Sequence, residues 1–216
     1  MSSRASPSAS EDESRDLSSI IADPSTPRMH SSVGMANNFM PKLVLPNLKY
    51  RKGFVRDFLP YMGKSRIKYE SLGIYLKHPK VSKDFSGFVK YVRAQGKRQN
   101  LPKNYVPQTA YWLVEDGKFL GWLSFRHYLN ANLKKIGGHI GYEISPKFRG
   151  KGYGNLILKL GLVKATQKGI KKVFITCDED NSRSKKIIER NGGVQASKVW
   201  QADRKCYKLR YWITTC

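Results

Sequence analysis

Apolar positions along the chain follow two rhythms, one of two residues and one of three to four, and the switches between them predict the elements. Lys42-Leu-Val-Leu-Pro46 reads as a first strand, closed by Pro46. Phe54, Val55, Phe58 and Leu59 follow at helical spacing. Residues 64–83 have no such period, with Gly73 and Pro79 as breakers. Asp84 is placed as a helix cap, and Phe85, Phe88, Val89 and Val92 form one apolar face up to Gly96. An aromatic stripe at this spacing fits a core face better than a substrate cage. Residues 101–107 read as a loop with two prolines. Thr109 to Val114 and Phe119 to Phe125 are expected strands, joined by the hairpin signal Asp116-Gly117.

Lys135 to Ile144 is the next expected strand, and Gly137, Gly138 and Gly141 within it point to a bulge or a close backbone approach. Leu156, Leu160 and Val163 mark a helix stopped at Gly169. Val173 to Thr176 is a strand, and Asp180 or Asn181 caps a short helix carrying Ile187 and Ile188 and closed by Asn191-Gly192-Gly193. Val194 to Trp200 and Tyr207 to Thr214 make a closing pair of strands. Helices before and after a central meander predict a layered α/β or α+β fold. The first 39 residues are serine-rich with scattered prolines and lack an apolar period, so disorder is expected there and a single domain over residues 40–216.

Between the strand ending at Ile144 and the helix beginning near Gly152 lies Ser-Pro-Lys-Phe-Arg149-Gly150-Lys151-Gly152-Tyr153-Gly154-Asn155. A glycine-rich turn opening a helix bares several N–H groups beside the positive end of the helix dipole, which suits a phosphate chain. Side chains in place of the glycines would block a pyrophosphate. A P-loop would continue Gly-Lys-Ser/Thr, whereas Asn155 and Leu156 follow Gly154. A dinucleotide fingerprint needs an acidic residue after the next strand; Asp178 can be forced into that role, but the first glycine of that fingerprint is less easily placed and the entry strand carries polar residues. A plain glycine-rich turn is the remaining alternative.

The run from Gly138 to Gly193 resembles the GNAT superfamily of acyl-CoA-dependent N-acetyltransferases, and its uncharacterised bacterial predicted-acetyltransferase branch in particular. Arg149-Gly150-Lys151-Gly152-Tyr153-Gly154 is similar to the family's pyrophosphate loop, Ile144 to the apolar residue five positions before that arginine, and Asn181 to its strand-end asparagine. Gly-Gly-His-Ile-Gly-Tyr, Thr-Cys-Asp-x-Asp-Asn and Glu-x-Asn-Gly-Gly carry the likeness further. The resemblance implies the GNAT fold, with a mixed sheet of about six or seven strands flanked by helices. It implies acetyl-CoA as cosubstrate, no metal, and direct acetyl transfer to a primary amine in a ternary complex. Tyr142, Ile144, the Arg149–Gly154 loop and Asn181 would hold the cofactor.

Glu143 is the first candidate base under that resemblance, on the strand beside the pantetheine arm. Strand parity turns it to the face opposite Tyr142 and Ile144. His139 is the second candidate, since an ordinary imidazole pKa suits proton transfer at neutral pH, and His127 a weaker third. Many members carry a tyrosine seven residues after the asparagine, protonating the departing thiolate; Ile188 stands there, leaving Ser184 as the candidate to hydrogen-bond the sulfur. No covalent intermediate is required, and Cys177 reads as a buried strand cysteine rather than a nucleophile.

Composition narrows the partners. The 216 residues carry 40 Lys+Arg against 16 Asp+Glu, a formal charge of +24. Such an excess attracts polyanions, coenzyme A and nucleic acid among them. The sequence shows no basic helix or RNA-binding aromatic signature beside it, so a solvated lysine-rich surface is the plainer reading. The competing function is a catalytically silent fold that binds nucleic acid. Three scattered cysteines give no metal spacing or disulfide framework, and no apolar run approaches the ~20 residues a membrane span needs. A cytoplasmic protein is the expectation.

Overall fold

The apolar run Phe-Leu-Gly-Trp-Leu-Ser-Phe has no polar alternation because its strand is covered on both faces. In a computed structural model, which describes residues 40–62, 81, 83–97, 101 and 103–215, that run is β3 (Lys118–Arg126), buried from Phe119 to Arg126. Its hairpin partner β2 (Gln108–Glu115) is in register with Trp112 opposite Trp122. Asp116 and Gly117 both have positive φ (46° and 70°), the backbone a tight hairpin of this hand requires. β1 (Lys42–Val44) pairs with β2, and β4 (Ile140–Ile144) with β3, closing a four-stranded antiparallel sheet. The segment 1–39, Gly73 and Pro79 lie outside the described residues.

One face of this sheet carries Trp112 and Trp122 against a helical segment, α1, and a second helix, α2 (Phe85–Ala94). α1 runs through a 3-10 turn (Leu48–Tyr50), a turn of α-helix (Arg51–Gly53), a π-wide stretch (Phe54–Phe58) and a last α turn (Leu59–Met62). Phe54 stacks on Trp112 at 5.1 Å and 22° and touches Phe85, Phe88 and Phe119. Phe85, Phe88, Val89 and Val92 are buried here, so the aromatic stripe is core. Asp84 caps α2, its Oδ1 accepting the Gly87 N–H at 2.8 Å.

The other face packs Leu113, Leu123, Phe125, Ile140 and Ile144 against α3 (Tyr153–Gln167). The same core takes in β5 (Lys172–Asp178), α4 (Ser182–Arg190) and β7 (Cys206–Thr214). With β6 (Val194–Gln201), these strands form a second antiparallel sheet in the order β5-β7-β6. The seven strands among the described residues thus divide as four and three. Gly169 and Gly192, both at positive φ, end α3 and α4.

The expected strand over Lys135 to Ile144 is corrected here: only Ile140–Ile144 is strand, and Leu133–Gly137 is a π-wide helical turn. Asn130 Oδ1 accepts the Leu133 N–H at 2.9 Å and starts that turn, so the residues before Gly138 are already committed. Gly138, at φ 82°, then passes so close to β5 that a Cβ would lie 2.6 Å from the Phe174 carbonyl oxygen. The two sheets meet at this point. Gly138 bridges to Ile175, and the His139 N–H donates to the Phe174 carbonyl at 2.7 Å. Past it, among the described residues, β4 is laddered to β3 alone and β5 to β7 alone, so the strands part and leave a cleft. Among the described residues, no helix is long and apolar enough to cross a membrane.

Candidate active site

Ser145 fixes the start of the glycine turn. It is fully buried, its N–H donates to the Leu120 carbonyl at 2.9 Å, and its hydroxyl donates to the Asp57 carbonyl of α1 at 2.9 Å. A 3-10 turn (Pro146–Phe148) follows, and Gly150 and Gly152 adopt positive φ of 79° and 82°. These left-handed conformations are why glycine stands there. The Asn155 and Leu156 amides fold back onto the Gly152 carbonyl. The amides of Gly150, Lys151, Gly152, Tyr153 and Gly154 have no protein acceptor among the described residues. They sit at the N-terminus of the 15-residue helix α3, whose first turn carries no acidic residue. Lys147, Arg149 and Lys151 are exposed around them. The concentration of N–H donors, helix dipole and cations makes an anion cradle at the mouth of the cleft.

The supporting side chains hold the cradle's shape. Tyr153 turns away from it, its hydroxyl donating to Glu115 Oε2 at 2.7 Å; burial, and then this carboxylate, raise its pKa. Tyr153 therefore offers its main chain, not its ring. A Cβ on Gly154 would come within 2.7 Å of Ile187 Cδ1, so the glycine lets α4 lie against α3. The Asn191 side chain donates to Asn155 Oδ1 at 2.8 Å across the same junction. Asn181 caps α4 by accepting the Ser184 N–H at 3.1 Å, and resolves the choice left between Asp180 and Asn181.

Ile144 is buried against α3, and Glu143, opposite Trp122, faces the α1–α2 layer. Glu143 is half-buried, and its Oε1 accepts from Arg149 Nη2 at 2.6 Å. Arg149 Nε also donates to the Ile144 carbonyl at 3.1 Å. Tyr142 turns across the cleft, and its hydroxyl lies 3.2 Å from Ser184 Oγ at the start of α4. Burial raises the Tyr142 pKa. Tyr142, Ser184 and Asn181 thus come together between β4 and the start of α4, while Glu143 stands on the opposite face of β4 and is tied to the glycine turn through Arg149.

His139 does not fit the role of second candidate base. Its Nδ1 accepts the Phe174 N–H at 2.9 Å, tying the sheets together, and burial lowers its pKa to about 4. The ring is neutral at pH 7, with one nitrogen already occupied. His127 lies apart, 2.8 Å from Thr109 Oγ1, its pKa lowered by burial and then by Lys168. Burial and the neighbouring Asp178 push the Cys177 thiol up to about 12. Asp178 is bound by Lys208 Nζ and, at 3.2 Å, by Arg204 Nη2, which removes it as a ribose ligand. Ile188 is fully buried in the core. A concavity of about 410 Å³ lined by Lys172, Gly192, Val194, Trp212 and Thr214 lies on the second sheet and holds none of these residues. Among the described residues, no cluster of three or more His, Cys, Asp or Glu side chains is arranged to hold a metal.

A family model described as the acetyltransferase (GNAT) domain matches residues 71–194, more than half of the chain. The crystal structure of a probable acetyltransferase is similar at TM-score 0.56 and 20% identity, over 82% of this chain and 94% of that one. Mutant forms of the spermidine/spermine N-acetyltransferase of Vibrio cholerae align at TM-score 0.44 and 14% identity, over 61% of this chain and 76% of theirs. An acetyltransferase of Salmonella typhimurium that modifies the N-terminal serine of a ribosomal subunit protein aligns at TM-score 0.41 and 22% identity; half of this chain covers 63% of it. No curated protein matches the chain.

Proposed function

The chain belongs to the GNAT family of acetyltransferases, acyl-transferring enzymes that use acetyl-CoA, and from that premise we propose that it acetylates a primary amine directly, within a ternary complex. The observation that carries this reading is the set of five adjacent amides, Gly150 to Gly154, with no acceptor among the described residues. Bound acetyl-CoA would supply an activated thioester. The five amides and Arg149 hold its diphosphate, and the edge of β4 facing the cleft takes the pantetheine arm. Glu143 accepts the amine's proton. For a lysine-like amine at pH 7 that loss costs about 4–5 kcal/mol, which explains the need for a base. The Ser184 hydroxyl, backed by Tyr142, hydrogen-bonds the departing sulfur. A CoA thiolate leaves readily near neutral pH, so the apolar Ile188 is compatible with turnover.

The test is calorimetric titration with CoA. Wild type binds, and Arg149→Ala weakens binding about tenfold or more through loss of charge-assisted bonds. Unchanged affinity in the variant would remove Arg149 from the site. Release of free CoA from acetyl-CoA against polyamines, amino acids, aminoglycosides and basic peptides then identifies the acceptor.

A second reading, binding of single-stranded nucleic acid, is favoured by one observation. Trp212, 43% exposed, packs tilted against Phe174 at 4.9 Å, with Arg210 over the Phe174 ring and Lys172 lining the same concavity. An aromatic platform with adjacent cations suits unpaired bases. Quenching of tryptophan fluorescence by oligo-uridine, with a steep salt slope, is the expected result. Flat and weak binding at physiological salt removes this reading.

A further inference from the structure

Arg149 occupies two roles at once. It belongs to the anion cradle, yet its guanidinium is engaged behind it. Nε holds the Ile144 carbonyl at 3.1 Å and Nη2 holds Glu143 Oε1 at 2.6 Å. The two partners are consecutive residues of β4, so one side chain folds back across the turn and clips its own strand. Four in ten parts of the Arg149 side chain stay exposed, and the Glu143 side chain is at 17%. The guanidinium is therefore reachable from solvent, while the carboxylate it covers is largely shielded.

The contest at that guanidinium is unequal. The diphosphate as a whole carries more charge than a single carboxylate and offers the same forked geometry that arginine matches. It would also be held by the neighbouring amides. A carboxylate clamped by Arg149 has Oε1 engaged and covered on that side, which hinders the approach of an amine to that oxygen. We infer that Arg149 is a cofactor-operated catch: without the coenzyme it covers Glu143, and the arriving diphosphate draws the guanidinium off, exposing the carboxylate for proton transfer. Arg149 then acts as a positioning residue as well as a phosphate ligand, and coenzyme binding precedes activation of the base. The inference rests on the reading of residues 149–154 as a diphosphate site and of Glu143 as the base.

Calorimetry with CoA alone, which cannot turn over, separates the two. Four proteins are compared: wild type, Glu143→Gln, Arg149→Ala and the double variant, each checked for an unchanged melting profile. If Glu143 competes for the guanidinium, Glu143→Gln binds CoA about two- to fivefold more tightly than wild type, the upper part of the range an exposed ion pair commands. In the Arg149→Ala background the same substitution changes affinity by less than about twofold, because the competition is gone. Equal or weaker binding by Glu143→Gln overturns the catch and leaves the diphosphate site standing. An equal gain in both backgrounds also overturns it, since simple repulsion between Glu143 and the ligand would then suffice. Failure of wild type to bind CoA overturns the diphosphate site itself.

Discussion

His139 illustrates how a residue's chemistry is set by where the fold puts it. Its ring accepts a buried amide from Phe174 and is held neutral, with a pKa lowered to about 4. The sign of the linkage follows: below an unfolded pKa of 6.5 the unfolded chain takes up a proton that the folded one refuses until about pH 4. Stability from this group is therefore complete above pH 6.5 and lost as pH falls towards 4, by up to about 3 kcal/mol. Melting temperatures measured from pH 7 to 4.5 should fall, and His139→Gln, which keeps an acceptor, should flatten that fall while leaving the pH–rate profile unchanged. A shifted profile would restore His139 as a base. Cys177 is the converse case. Its thiol, pushed up to about 12, is protonated at neutral pH, so mass spectrometry after mixing with acetyl-CoA should find no acetyl adduct on it. The Phe174 partner of His139 is 35 residues away, which is why sequence spacing made this histidine look available. Glu143's facing was legible from strand parity, but its pairing with Arg149 depends on a turn that folds six residues back.

At the scale of elements, the join between the sheets is made by very few residues, and Gly138 is the one with no substitute. Gly138→Ala would meet the Phe174 carbonyl at 2.6 Å and force an alanine to φ 82°. Together these should cost at least about 2 kcal/mol, read as a lower urea midpoint. The β2–β3 hairpin, the Asp84 cap and the helix stops at Gly169 and Gly192 were all legible, because each rests on local backbone chemistry. The start of β4 was not. Lysine, apolar and glycine residues in succession resemble a strand, and the residue that starts the turn, Asn130, lies before that stretch, three residues ahead of Leu133. The glycine signal itself was sound: it marked a close approach, though its partner strand lies far along the chain.

For the molecule as a whole, the formal charge of +24 exceeds anything the cradle needs. It should accelerate capture of a polyanionic coenzyme, so the association rate of CoA in stopped flow should drop as salt rises from 50 to about 300 mM while dissociation changes little. The overall architecture was legible because the order of elements and one loop motif recur together. The acceptor was not, because residues 60–108 carry little apolar period in the sequence beyond one helix. Binding should also stabilise the fold, by about 2.7 kcal/mol at a ligand concentration a hundred times Kd. The most direct measurement is an amide-resolved NMR titration with CoA. The N–H signals of Gly150 to Gly154 are predicted to shift together and gain protection from exchange, ahead of those elsewhere. CoA binding that leaves those five signals unmoved would contradict the account.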